Sequence, residues 1–169
     1  MLGRLYLVVT PRPGWSLEAT LDRTERALAG GVEVVQLRAK DWEARPTLAL
    51  GERMLALARR YGVPFFLNDR PDLAALLGAD GVHLTAAALM ALDARPQVGL
   101  AGASCHSDAE LERAEQLGLD FVQLSPVLPT KSHPGAATLG WDGFAGLIRD
   151  YSLPVYALGG MGLDELDTA

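Results

Sequence analysis

The chain is short of several things, and each shortage closes a door. It has one cysteine, Cys105, so it can form no internal disulfide, and a reducing cytoplasmic compartment is expected. It has only two lysines, Lys40 and Lys131, and a formal net charge of −6. Such a surface is a poor partner for nucleic acid or an anionic membrane. No apolar run approaches the roughly 18 residues that span a bilayer. The opening Met-Leu-Gly-Arg lacks the basic, apolar and small-residue regions of a secretory signal. No G-x-G-x-x-G follows the first strand-like run, so nothing marks a dinucleotide fingerprint. Length is short as well. The 169 residues can bury one substantial core, whereas a complete (β/α)8 barrel runs to about 250.

What is present is an alternation of two textures. Short apolar, β-branched runs recur: 5–9, 32–37, 63–67, 81–84, 98–101, 121–124 and 155–158. Several are almost continuously apolar, as strands covered on both faces of a parallel sheet must be. Helical spacing fills the intervals. Leu17, Leu21, Thr24 and Leu28 share a face behind Ser16 as N-cap, and Ser107 with Glu110 reads as a capping box ahead of Leu111 and Ala114. Leu48, Met54, Leu55 and Ala58 form another stripe, as do Trp141, Phe144, Ile148 and Tyr151. Shorter helices are expected over 70–78 and 86–93, and one more begins at Leu163. With no linker or composition break, one domain is expected over residues 1–169. Regular βα repeats and right-handed crossovers point to an α/β fold of the TIM (β/α)8-barrel type, with seven βα units represented.

Chemistry in such folds collects at the carboxyl ends of the strands. Both lysines and all three histidines, His83, His106 and His133, fall within a few residues of those ends. After the second strand, Gln36, Arg38 and Lys40 alternate, so all three face one way; two cations and an amide suit a di- or polyphosphate. Ion pairs of Arg38 with Glu33 or Asp41 are the plainer alternative. After the third strand, Asp69 of Asn68-Asp69-Arg70 could either hold Mg²⁺ or cap the helix opened by Pro71. Cys105 and His106 are neighbours on an extended chain and point apart, which leaves Cys105 a buried thiol and Ser104 a hydroxyl ligand. The proline-rich loop 125–135, carrying Thr130, Lys131 and His133, reads as a substrate clamp or a stiff surface loop. Gly159-Gly160, before a helix start, reads as an anion site.

These stretches together resemble the thiamine phosphate synthase and thiazole tautomerase superfamily of barrel proteins. The resemblance runs in order through Gln36-Leu-Arg-Ala-Lys40, Asn68-Asp-Arg70, Gly78 to Leu84, Gly102 to His106, Ser125 to Thr130 and Ala157 to Gly160. Wording around His83-Leu-Thr85 and 129–135 looks closest to a branch appended to some Nudix hydrolases. The resemblance implies a transferase of thiamine biosynthesis. It joins hydroxymethylpyrimidine pyrophosphate to thiazole phosphate and releases pyrophosphate through a dissociative step. By the same resemblance Gln36, Arg38, Lys40 and Ser104 meet the pyrophosphate, Asn68 the pyrimidine and Asp69 the Mg²⁺. Thr130, Lys131 and His133 belong to the clamp, and Gly159 with Gly160 to the thiazole phosphate. Arg38, Lys40, Ser104 and His133 would carry the catalysis.

Three departures qualify this. Synthases usually follow the strand-four His-Leu with Gly-Gln-x-Asp; here Thr85-Ala-Ala-Ala88 stands there, so the second Mg²⁺ carboxylate is missing at Ala88. The clamp reads Thr130-Lys-Ser-His133 rather than Thr-x-Thr-Lys. Where the tautomerase carries its histidine, this chain has Ser125-Pro-Val127, which leaves His106 or His133 to move a proton. A thiazole isomerase, a non-catalytic thiamine phosphate or pyrophosphate binder, and another phosphorylated small-molecule enzyme therefore stand beside the synthase. The pattern stops before an eighth βα unit, and truncation of a longer protein is expected. Strands one and seven would otherwise expose edges that invite another chain, a homo-oligomer included.

Overall fold

The computed structural model describes residues 2–130, 135–166 and 168. The chain forms two compact units, one reaching His83 and including Pro96–Leu100, the other comprising Leu84–Arg95 and the residues from Ala101 onward.

In the first unit β1 (Tyr6–Val9), β2 (Val34–Leu37), β3 (Phe65–Asn68) and β4 (Gly81–Leu84) alternate with α1 (Leu17–Ala29), α2 (Ala44–Tyr61) and α3 (Pro71–Leu77). Successive strands pair in parallel, with Val8 opposite Gln36, Gln36 opposite Phe66, and Asn68 opposite His83. β2 and β4 are buried at every position, each carrying one polar residue, Gln36 or His83, among apolar ones. Behind them Leu50, Met54 and Ala58 of α2 meet Val35, Leu37, Phe65 and Leu67 in the core. The spacing of those helical residues is what puts them on one face. Ser16 caps α1 as expected, its hydroxyl accepting from Ala19 N at 3.1 Å.

The second unit carries α4 (Ala86–Ala91), β5 (Leu100–Cys105), α5 (Asp108–Gln116), β6 (Phe121–Leu124), α6 (Gly140–Ile148) and β7 (Val155–Ala157). Leu100, at the start of β5, belongs to the first unit, and Leu84, at the end of β4, to the second. β5, β6 and β7 again pair in parallel and in chain order. Gly102 is required here: a Cβ on it would lie 2.2 Å from Cζ of Phe121, whose ring fills that space. An aspartate just before a strand does the same job in each unit. Asp80 accepts from Phe65 N at 2.8 Å, and Asp120 from Ala101 N at 2.7 Å, so each carboxylate holds the first or second amide of the neighbouring strand.

Four expectations are corrected. The fifth strand lies over Leu100–Cys105 rather than 98–101: Leu100 N donates to Asp80 O at 2.9 Å as the strand opens, and the pairing with β6 runs on from Gly102 to Cys105. The capping box at Ser107 does not form: the serine makes no cap bond, and Glu110 reaches further back to accept from His106 N at 2.5 Å. The helix expected over 86–93 is Ala86–Ala91. The helix expected from Leu163 is one 3-10 turn, Leu163–Glu165. Among the described residues no helix is long and apolar enough to cross a membrane.

Candidate active site

In the first unit the sequence-predicted polar residues form a graded series. Gln36 is 1% exposed, Arg38 beyond it is half-buried, and Lys40 is exposed. The Gln36 amide donates to Asn68 Oδ1 at 2.8 Å, and the Asn68 amide donates to Asp69 Oδ2 at 3.0 Å. This is a directed line: each amide spends its N–H on the next acceptor, so the series ends on a carboxylate. Gln36 Oε1 is buried and has no hydrogen-bond partner among the described residues. A buried orphan acceptor costs about 1–3 kcal/mol, so a ligand donor or water belongs beside it.

Asp69 does not cap α3. Arg70 occupies the cap position without a side-chain bond, and Asp69 sits at φ +53. That left-handed backbone is costly for a residue with a Cβ, by about 1–2 kcal/mol, and aspartate is among the few that adopt it. Its backbone N–H donates to the His83 carbonyl at 2.9 Å, which ties the turn to β4. His83 itself is 1% exposed, and burial pushes its pKa down to about 3, so at neutral pH the ring is uncharged.

Arg38 and Lys40 form no ion pair among the described residues, whereas Arg26, Arg53, Arg60, Arg70 and Arg95 each hold a carboxylate. The alternative pairing of Arg38 with Glu33 fails for a visible reason. Glu33 is taken by the backbone at the start of the chain, accepting from Arg4 N and Leu5 N at 2.6 and 3.2 Å. The cations after β2 are thus left for a ligand.

In the second unit Ser104 is half-buried on β5, opposite the buried Gln123 on β6. Cys105 is fully buried, and burial, with the Glu110 charge next, pushes its pKa up to about 12. It is the inert thiol expected. His106 turns instead to Ser125. Its Nδ1 lies 2.7 Å from the Ser125 carbonyl oxygen and 3.2 Å from the Ser125 hydroxyl. A carbonyl can only accept, so Nδ1 carries a proton, and Nε2 is the nitrogen that can accept in the neutral ring. The sequence offered only adjacency to Cys105, which hid this longer-range partner.

Gly159 and Gly160 have φ +93 and +74. A Cβ on Gly159 would lie 2.9 Å from Pro126 Cα, and one on Gly160 2.6 Å from Leu128 Cβ and 2.8 Å from the Pro129 oxygen. Val127 N donates to Leu158 O at 2.9 Å and Leu128 N to Gly159 O at 3.0 Å, so this turn and the start of the clamp loop are one hydrogen-bonded body. The helix N-terminus expected behind the turn is not there. Instead the Glu165 carboxylate accepts from Gly162 N at 2.8 Å. Thr130 is half-buried at the edge of this body; Lys131 and His133 lie outside the described residues. Ala88 is the third residue of α4, its N–H donating to the Thr85 hydroxyl at 3.3 Å, so the position lacking a carboxylate serves as part of a helix cap.

The chain is similar to known proteins over nearly its whole length. Residues 5–169 match the family model described as thiamine monophosphate synthase. A thiamine-phosphate synthase of Thermus thermophilus is 66% identical, over 99% of this chain and 82% of its own. One from Deinococcus radiodurans is 46% identical over 98% of this chain and 62% of its own. The solved thiamine phosphate pyrophosphorylase of Pyrococcus furiosus superposes with a TM-score of 0.78 at 31% identity, covering 96% of this chain and 77% of that one. An N-acetylmannosamine-6-phosphate 2-epimerase from Clostridium perfringens, 13% identical with a TM-score of 0.67, covers 98% of this chain and 80% of its own and shares the fold only. The seven βα units are those of a TIM-type barrel, and the chain belongs to the thiamine monophosphate synthase family as an enzyme of the thiamine-phosphate synthase type.

Proposed function

We propose that the chain condenses hydroxymethylpyrimidine pyrophosphate with thiazole phosphate, releasing pyrophosphate, as a cytoplasmic enzyme of thiamine biosynthesis. The observation that carries the reading is the line Gln36–Asn68–Asp69 with Arg38 and Lys40 unpaired beyond it among the described residues. Gln36 Oε1 is the buried acceptor for an amine of the pyrimidine or a water it holds, while Asn68 is fixed on both sides and orients that ring. Arg38 offers a planar fork to two phosphate oxygens and Lys40 a point charge. Both stabilise charge as it gathers on the departing pyrophosphate, which is the step a dissociative displacement most needs helped.

The donor set fits Mg²⁺ carried in by the substrate. Among the described residues no three acidic, histidine or cysteine side chains gather. One carboxylate, Asp69, with phosphate oxygens and waters meets the preference of this ion. Mg²⁺ held there would neutralise pyrophosphate charge. In the second unit Ser104 offers a hydroxyl to a phosphate group, and Gly159 with Gly160 offers backbone N–H groups to the thiazole phosphate. Thr130, Lys131 and His133 supply the clamp. The test is product formation from both phosphorylated precursors with Mg²⁺, beside the Thermus thermophilus relative as positive control. A preparation in which the relative turns over and this chain does not would refute the reading.

A further inference from the structure

Two tight turns in the first unit are built alike. Arg12-Pro13-Gly14-Trp15 closes with Trp15 N donating to Arg12 O at 3.0 Å, and Gly14 at φ +83. Proline second and a positive-φ residue third is the type II pattern. Ala39-Lys40-Asp41-Trp42 closes with Trp42 N donating to Ala39 O at 3.3 Å, and Asp41 at φ +62. Each turn thus delivers an indole at its last position and a cation before it. The two face a pocket of about 420 Å³, lined by the Arg12–Trp15 turn with Lys40 and Trp42 and by no carboxylate among the described residues. That volume lies within the usual range for small-molecule sites.

The two tryptophans are not equivalent. Trp15 is half-buried and stacked by guanidinium groups, Arg23 at 4.3 Å and Arg12 at 5.4 Å from the ring centre. This stacking holds Arg12 at the pocket. Among the described residues no guanidinium is stacked on Trp42, and 36% of it is exposed. In a chain of net charge −6, a pocket with two cations and a presented indole selects a ligand that is anionic at one end and flat, electron-poor and aromatic at the other. Phosphate answers Arg12 and Lys40, and a cationic heteroaromatic ring answers Trp42.

We propose that this pocket is a second binding position for a heteroaromatic phosphate ester, thiamine phosphate above all, apart from the Gln36–Asn68–Asp69 line but sharing Lys40 with the pyrophosphate position proposed above, so that the lysine serves the two in turn. The identity of the ligand rests on the reaction proposed above; the pocket's chemistry does not. The experiment uses the Trp141→Phe protein, whose remaining indoles are Trp15 and Trp42, and follows emission on titration with thiamine phosphate and, separately, inorganic pyrophosphate. Saturable quenching by thiamine phosphate is expected, with Kd raised about tenfold by Arg12→Gln and the amplitude lost in Trp42→Phe. Arg38→Ala should leave the quench in place while reducing turnover. Loss of the quench in Arg38→Ala, or an unchanged Kd in Arg12→Gln, would overturn the second position. Pyrophosphate binding as tightly as thiamine phosphate would overturn the role of Trp42. Failure of the synthase assay leaves the quench measurable, and failure of the quench leaves turnover intact, so the two readings fall separately.

Discussion

Acidification from pH 7 to pH 5 should weaken the fold through one side chain, His83. The ring is buried beside Tyr6, with centroids 6.0 Å apart, and burial pushes its pKa to about 3 from the ordinary 6.5. The unfolded chain therefore takes up a proton near pH 6.5 that the folded chain refuses until about pH 3. Between these values the unfolded state binds more protons, so stability falls as pH falls. At pH 5 the loss is about 2 kcal/mol, from 1.36 kcal/mol per pH unit below 6.5. The carboxylates with lowered pKa, Glu18, Asp22, Asp72 and Glu115, start from 4.5 or below, and their contributions fade only beneath the window. The assay is urea unfolding at half-unit steps from pH 7 to pH 5, for the protein and for His83→Gln. The variant should be less stable at pH 7 and show a slope shallower by about 1.4 kcal/mol per pH unit below pH 6. Parallel slopes in the two proteins would show that His83 is protonated in the fold, and the argument from burial would be wrong.

Three further outcomes are expected. Arg38→Ala should weaken pyrophosphate binding about tenfold or more in calorimetry, the scale of one charge-assisted bidentate contact; an unchanged affinity would remove Arg38 from the site. Gly160→Ala should cost about 2–4 kcal/mol in urea unfolding, combining a left-handed alanine with the overlap on Leu128, and should raise KM for thiazole phosphate. Equal midpoints and KM would show that the turn moves freely. Cys105 should stay unreactive to a thiol reagent at pH 8 in the native protein and react on unfolding, because its thiol is buried and its pKa raised to about 12. Rapid native labelling would contradict its burial.

The βα order was legible because buried strands are written as mainly apolar, β-branched runs, as around Gln36 in β2, and helices as stripes, as in Leu50, Met54 and Ala58. What could not be read was which of two partners a short polar side chain takes. Asp69 before Pro71 looks like a cap, but its left-handed backbone turns it towards Asn68. Glu110 has the spacing for Ser107 and goes to His106, and His106 goes to a residue 19 positions away. The pocket of Arg12 and the two tryptophans was missed although its signal, Pro-Gly before an aromatic, lay in plain view. Only the fold brings residues 12–15 and 40–42 around one pocket.

The ring of Phe121 in the space above Gly102 also ties the choice of residue at 102 to the residue at 121. A smaller residue at 121 meets no clash with Gly102, whereas a side chain at 102 does meet the Phe121 ring. A lineage that gained a side chain at 102 while keeping phenylalanine at 121 would have to pass through a misfit pair, so a side chain at 102 should travel with a smaller residue at 121. For anyone recombining this protein with its relatives, a crossover between residues 102 and 121 should fail when it joins a side chain at 102 to phenylalanine at 121, and the reciprocal product, with glycine at 102, should fold.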